Sequence, residues 1–356
     1  NMRVGILTSG GDCQALNATM RGLALTLYRN VKDVEIIGFI DGYKGLMYEK
    51  YRKMKPKDFY DILNVGGSIL GNSRCPFKRM RIIENGFDKV KAMKNTYKKL
   101  ELDCLVVLGG NGSIKSANML SQEGLNVIAL PKTIDNDAWG TDYTFGYSSA
   151  TAIATRYLDE IKTTASSHSR VFVIEVMGHK VGHICLSAGI AAGADVILLP
   201  EIPYDIKVVA KKVKETLKNE KNYAIIACAE GAISEADALM KRKDYKAKVL
   251  ARNGRSVAYE VADELSQEID AEIRVSCIGH AQRGGNPNSY DREISTRFGV
   301  EGARLIIKKH YGEYVVLQGN HVTHIPLEAT AGKLKYVDTE GEIVQSAKLV
   351  GISFGE

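Results

Sequence analysis

Short apolar runs return along this chain, each ending in a polar or glycine-rich turn and followed by residues at helical spacing, and this alternation limits the fold more than any other feature. Arg3 to Leu7 is the first run; the turn Thr8-Ser9-Gly10-Gly11-Asp12 follows, and then Leu16, Met20, Leu23 and Leu27 recur along one helix face. Val34 to Ile40, Leu102 to Leu108 and Val127 to Leu130 read as further strands with helices between them. Strand, turn and helix repeated in this way build a parallel sheet covered on both faces. The alternation restarts with a helix near Ser148 to Thr164 and a strand at Val171 to Val176. It continues through Val181 to Ala191, Asp195 to Leu199, Ile206 to Leu217, Tyr223 to Ala229 and a strand at Ile273 to Ile278. The expected fold class is α/β, with two doubly wound, Rossmann-like lobes and mostly parallel sheets. Residues 1–146 are expected as the first lobe and 147–281 as the second, with 282–356 returning to the first and adding a C-terminal extension. Glu235 to Ile269 reads as largely solvated helix, and the tail beyond Gly319 as short strand-like pieces such as Lys335 to Val337 with no catalytic signal.

A chain of 356 residues, 45% of them hydrophobic, can bury a sizeable core in two or three lobes. Lys+Arg 48 against Asp+Glu 42 leaves a net +6, with the two signs interleaved rather than gathered into a basic tract, so a nucleic-acid partner is not expected. The six cysteines are Cys13, Cys75, Cys104, Cys185, Cys228 and Cys277; they fall into no C-x-x-C pair or metal-ligand spacing, which points to reduced thiols and a cytoplasmic setting. Asn1 before Met2 reads as a scar of tag cleavage, no leader is expected, and no apolar run approaches the roughly eighteen residues that span a bilayer.

The densest chemistry lies in Leu130-Pro131-Lys132-Thr133-Ile134-Asp135-Asn136-Asp137, which follows the apolar run from Leu125 and so leaves the end of a buried strand. Ligands of open α/β sheets bind at such ends. Asp135 can take a proton from a substrate hydroxyl, and Asp137 can hold a divalent metal directly or through water. An Asx turn accounts for the same Asp and Asn residues. No G-x-x-x-x-G-K-[ST] occurs, yet the turns at Gly10-Gly11 and Gly109-Gly110-Asn111-Gly112-Ser113 each stand between a strand and a helix, where backbone N–H groups and the helix dipole can meet phosphate.

Read together with Gly279-His280-Ala281-Gln282-Arg283-Gly284-Gly285, these three stretches resemble the 6-phosphofructokinase family over roughly residues 3 to 320. The resemblance implies phosphoryl transfer from MgATP to the 1-hydroxyl of fructose 6-phosphate, with Asp135 as base and Thr133 orienting the acceptor. It places Gly11, Tyr43, Arg74, Cys75, Gly110, Asn111, Gly112 and Ser113 at the nucleotide, with Arg74 and Gly112 near the moving phosphate, and Asn111 and Asp137 at Mg2+. Asn111 replaces the family's commoner Asp, a neutral oxygen in place of a charged one. Thr133, Asp135, Arg170, Met177, Gly178, His179, Glu230, Arg274, His280 and Arg283 match sugar-phosphate positions, and His179 stands where bacterial relatives often carry arginine. Arginine suits phosphate because its planar fork bonds two oxygens at once. The remaining histidines, His168, His183, His310, His321 and His324, read as isolated structural residues.

Two positions bear on the donor. Pyrophosphate-dependent relatives carry Asp where this chain has Gly112; two like charges about 4 Å apart cost roughly 4 kcal/mol at an effective dielectric of about 20, about a thousandfold in nucleotide binding. Lys132, by contrast, is shared with the pyrophosphate users. ATP is the expected donor, with pyrophosphate, another sugar-phosphate acceptor and a non-catalytic sensor as the alternatives. In the resembled family Arg170 and Arg274 reach the sugar's 6-phosphate from a neighbouring subunit, which implies a homotetramer, or at least a dimer, with shared active sites.

Overall fold

The computed structural model describes residues 1–356. In chain order the first elements are β1 (Met2–Thr8), α1 (Leu16–Asn30), β2 (Val34–Phe39), α2 (Tyr43–Tyr48), β3 (Tyr51–Lys53), α3 (Lys89–Lys99), β4 (Cys104–Gly109), α4 (Asn111–Gln122) and β5 (Val127–Pro131). Next come α5 (Tyr147–His168), β6 (Val171–Val176), α6 (His183–Ala191), β7 (Val196–Leu198), α7 (Ile206–Asn219), β8 (Ala224–Ala229), α8 (Glu235–Ala238), α9 (Arg242–Ala251), α10 (Val257–Ser266) and β9 (Ile273–Cys277). The chain closes with α11 (Ser289–Ile307), β10 (Glu313–Gln318), β11 (His321–Pro326) and α12 (Glu342–Leu349).

Contacts divide the chain into one unit of residues 1–149 and 283–335 and another of residues 150–282 and 336–356. Of residues 282–356, expected to return to the first lobe and add a C-terminal extension, residues 283–335 group with the first unit and residues 336–356 with the second. The first unit carries a seven-stranded sheet in the order β11-β10-β5-β4-β1-β2-β3, with β1, β2, β4, β5 and β10 parallel and an antiparallel strand at each edge. All six residues of β4 are buried, as a central strand covered on both faces requires. One apolar cluster around Leu7, Phe39, Leu105, Val107, Leu120 and Val127 fills one side of that sheet. The second unit has a four-stranded, all-parallel sheet in the order β7-β8-β6-β9, packed through Val171, Val173, Ile226, Val261 and Leu265.

Helix starts follow local chemistry. Asp205 caps α7 by accepting from Lys207 N, Ser256 caps α10 through Ala258 N, and Asn288 caps α11 through Asp291 N at 3.0 Å. The segment expected as one solvated helix at 235–269 is three helices, and only α9 is without a buried residue. α10 instead buries Val257, Ala258, Val261, Ala262 and Leu265, an apolar stripe at helical period that the surrounding charge obscured. No strand forms at Lys335 to Val337; Lys335 Nζ donates to Thr141 O at 2.9 Å and Asn136 Oδ1 at 3.0 Å, and Val337 N donates to Glu201 Oε2 at 2.7 Å, so side-chain bonds hold this stretch together with one backbone bond from Lys335 N to Asp137 O.

Candidate active site

In the first unit the turns after β1 and β4 are tied to each other. Ser9 N donates to Leu108 O at 3.0 Å and Ser113 Oγ to Ser9 Oγ at 2.8 Å, which places the start of α4 beside the turn at Gly10 and Gly11. A third strip, residues 68–73, is bonded to the same turn: Gly10 N donates to Ser73 O at 3.0 Å, Asn72 Nδ2 to Gly10 O at 3.1 Å, and Thr8 Oγ1 lies 2.9 Å from Asn72 Oδ1. These bonds carry Arg74 to Gly11. A Cβ on Gly11 would sit 2.8 Å from Arg74 Nη2 and 2.8 Å from Arg283 Nη1, so glycine leaves room for two guanidinium groups at one turn. Arg283 Nη1 donates to Asp12 O at 3.2 Å.

Lys132 adds a third cation there. Its side chain is 3% exposed and its Nζ donates to Gly11 O. Burial lowers the ammonium to about 8; Arg283 and Arg74 push the same way, while Cys13 and Asp135 oppose them. Three cations facing backbone N–H groups at a helix start form a site for a polyanion. Gly112, in the first turn of α4, has nothing within 4 Å of where a Cβ would stand.

The loop after β5 is fixed at both ends: Lys132 N donates to Gly109 O at 3.0 Å, Phe145 N to Pro131 O at 3.1 Å, and Thr144 Oγ1 to Thr133 O at 2.7 Å. Asp135 N donates to Thr133 Oγ1 at 3.0 Å, a local turn that leaves the Asp135 side chain half-buried. Asp137 is 5% exposed, and its Oδ1 is buried without a hydrogen-bond partner. Burial first, and then the Asp135 charge, push its carboxyl up to about 7. The two carboxylates thus stand in different settings, Asp135 half-buried and Asp137 buried with one oxygen unpartnered. Asn111 lies against Asp137, its Nδ2 3.4 Å from Asp137 O.

Tyr43 was expected to touch the nucleotide, but it is 0% exposed and its hydroxyl donates to Ser113 O at 2.7 Å, so it positions the start of α4 from beneath. Arg74 and Cys75 line a cavity of about 230 Å³ together with Met47, Tyr48, Pro76 and Met80. The apolar members of that wall carry no motif. Lys335 was also missed: it is half-buried, its backbone N donates to Asp137 O at 2.9 Å, and burial lowers its ammonium to about 8, while Asp142 and Asp137 hold it up. Its partner Asn136 is 199 positions away, beyond any local signal.

The acceptor residues of the second unit fall into two groups. Glu230 Oε1, at the end of β8, accepts from Gly178 N at 3.0 Å and from His179 N, and Met177 N donates to Gln282 Oε1 at 3.2 Å; His280 follows β9. All of these lie at the C-terminal ends of their strands. Arg170 and Arg274 lie at the opposite end of the same sheet, just before β6 and at the second residue of β9. The six residues of β6 separate the groups, about 20 Å at the rise of an extended strand. Glu272, unmarked in the sequence, holds both arginines: its Oε2 lies 3.0 Å from Arg170 Nε, and its Oε1 accepts from Arg274 Nη2. Those bonds, led by Arg170, lower its carboxyl below the usual range.

Two linked glycine turns at parallel strand ends, with cations and a carboxylate loop beside them, define an α/β phosphotransferase. The phosphofructokinase family model matches residues 3–306, and the chain belongs to that family. It is 47% identical over 99% of its length to the ATP-dependent 6-phosphofructokinase of Spirochaeta thermophila, covering 97% of that protein, and 42% identical to ATP-dependent 6-phosphofructokinase 3 of Bacteroides thetaiotaomicron, over 99% of this chain and 100% of that one. Among solved structures, a phosphofructokinase from Saccharomyces cerevisiae superposes with a TM-score of 0.80 at 28% identity, over 93% of this chain and 45% of that chain. No helix is long and apolar enough to cross a membrane.

Proposed function

We propose that the chain transfers the terminal phosphoryl group of ATP to the 1-hydroxyl of fructose 6-phosphate, giving fructose 1,6-bisphosphate and ADP. The observation that carries this reading is the meeting of Asp135 with Lys132, Arg74 and Arg283 at the turns after β1 and β4. Asp135 takes the hydroxyl proton as the sugar oxygen attacks in line, and Thr133 fixes the turn that presents it. Arg74, Lys132 and Arg283, with the N–H groups of Gly110, Gly112 and Ser113, meet the charge of the moving phosphoryl group. Asp137 and Asn111 would hold Mg2+, which neutralises phosphate charge when bound with nucleotide. The orphaned Asp137 Oδ1 fits that duty.

ATP is favoured over pyrophosphate because Gly112 faces open space where a side-chain carboxylate would repel a nucleotide. Lys132 serves either donor, since it reaches the turn of β1 and not the cavity. Initial rates with ATP and with pyrophosphate, each with fructose 6-phosphate, test the reading; ATP is expected to be far better, and turnover with pyrophosphate alone would reverse it.

Within the second unit, Met177, Gly178, His179, Glu230 and His280 are the residues that hold the sugar phosphate. Arg170 and Arg274 complete the clamp of a neighbouring copy, in a homotetramer or at least a dimer. The separation of the two groups within one sheet supports this. So do the exposed Leu239, at 88%, and Leu250, at 80%, beside and within a helix that buries nothing in its own chain. Six free cysteines fit work in the reducing cytoplasm.

A further inference from the structure

His310 and His324, expected as isolated structural residues, meet on one carboxylate. His310 follows α11 and left-handed Lys309 (φ 55), and three residues later Glu313 opens β10. His324 pairs with Val315 across the β10–β11 ladder; Val315 shares a face of β10 with Glu313, so His324 lies diagonal to it on that face. His310 Nε2 is 2.9 Å from Glu313 Oε1 and His324 Nδ1 is 3.3 Å from Glu313 Oε2. The two rings stand edge to face with centroids 5.0 Å apart.

We propose that His310, Glu313 and His324 form a binding site for a zinc-class divalent ion, outside the phosphotransfer machinery. All three donor atoms lie within 4.8 Å of one another. Ligands at about 2.0–2.2 Å from a tetrahedral zinc stand about 3.3 Å apart. The two imidazoles approach different oxygens of Glu313, at 2.9 and 3.3 Å, so a small turn of the carboxylate and of the rings brings one oxygen and both nitrogens to that spacing. Glu313 is 10% exposed and His310 52%, which keeps the carboxylate dry on one side and leaves the other open for a water as fourth ligand. Two imidazoles with one carboxylate select zinc, cobalt or nickel over magnesium, which prefers oxygen ligands in octahedral array. An ion there fastens the end of α11 to the outer hairpin of the seven-stranded sheet. Without metal, both rings can donate to the carboxylate, and the same contacts would be a hydrogen-bonded clip.

Titration calorimetry separates the two. The full chain, treated with chelator and kept in excess Mg2+, is titrated with Zn2+; one equivalent is expected to bind. His310→Ala and His324→Ala should each weaken that equivalent by at least about 100-fold, because losing a direct ligand costs no less than losing an outer partner. Neither histidine serves the reaction, so Mg2+-supported kinase activity serves as the check on folding and should stay at the wild-type level. Co2+ in place of Zn2+ should give visible ligand-field absorption without a thiolate charge-transfer band, which excludes exposed Cys277 as the ligand. No Zn2+ equivalent, an equivalent that survives both substitutions, or a thiolate band would each overturn the site.

Discussion

The donor and acceptor residues differ in how far one chain can assemble them. Around Gly11, three segments far apart in sequence are joined by short hydrogen bonds, so Arg74, Lys132 and Arg283 converge with no help from outside the first unit. In the second unit the residues matched to the sugar phosphate divide between the two ends of one sheet. No side-chain rotation spans the roughly 20 Å of β6. Convergence within one unit is what the proposed donor site requires, while the split is what the proposed sharing of Arg170 and Arg274 with a neighbouring copy would account for.

The largest effect should come from the donor half. Asp135→Asn is expected to lower kcat by about 10²- to 10⁴-fold with KM for fructose 6-phosphate nearly unchanged, as for a lost general base. Steady-state rates across both substrates check it, and an unchanged kcat ends the assignment. Next, Gly112→Asp should weaken use of ATP by about a thousandfold, because it sets a carboxylate in open space beside the start of α4. Equal ATP turnover in that variant would move donor choice to Lys132.

In the acceptor half, Arg274→Ala should raise KM for fructose 6-phosphate by about 10- to 100-fold with kcat little altered, since a charge-assisted bond to a non-reacting phosphate is made in ground and transition states alike. A fall in kcat with KM intact would detach Arg274 from the phosphate. The smallest effect is pH-dependent. Lys132 has its ammonium lowered to about 8, so raising the pH from 7 to 9 removes its charge, and KM for ATP should climb by up to about tenfold. Lys132→Gln should bind ATP weakly at every pH and lose that climb; a climb that persists would belong to another group.

Much of the fold was legible because apolar runs and glycine turns are local signals. β1, β4, β5 and β6 stand within two residues of their expected bounds, and Asp135 and Asp137 leave a buried strand as the run from Leu125 implied. What could not be read locally is what depends on distant partners. Arg283 returns to Asp12 across 271 positions, Lys335 to Asn136 across 199, and Glu272 becomes visible as the tie between Arg170 and Arg274 only once β6 and β9 lie side by side. The β10–β11 hairpin, by contrast, is local, joined through Gly319 and Asn320, and reading the tail only as short strand-like pieces hid it together with the meeting of His310 and His324. Tyr43, matched to a nucleotide contact by the resemblance, is buried and donates to Ser113 O, a brace that the motif alone does not reveal.

Complementation between two inactive variants tests the second-copy requirement most directly. Asp135→Asn chains and Arg170→Ala chains are dissociated, mixed and reassociated, and hybrids are verified by native mass spectrometry. If Asp135 of one chain works with Arg170 of its neighbour, a hybrid interface holds one doubly damaged site and one intact site, and activity should return in the mixture. Confirmed hybrids without any recovered activity would contradict the shared site and mean that each chain builds its acceptor site alone.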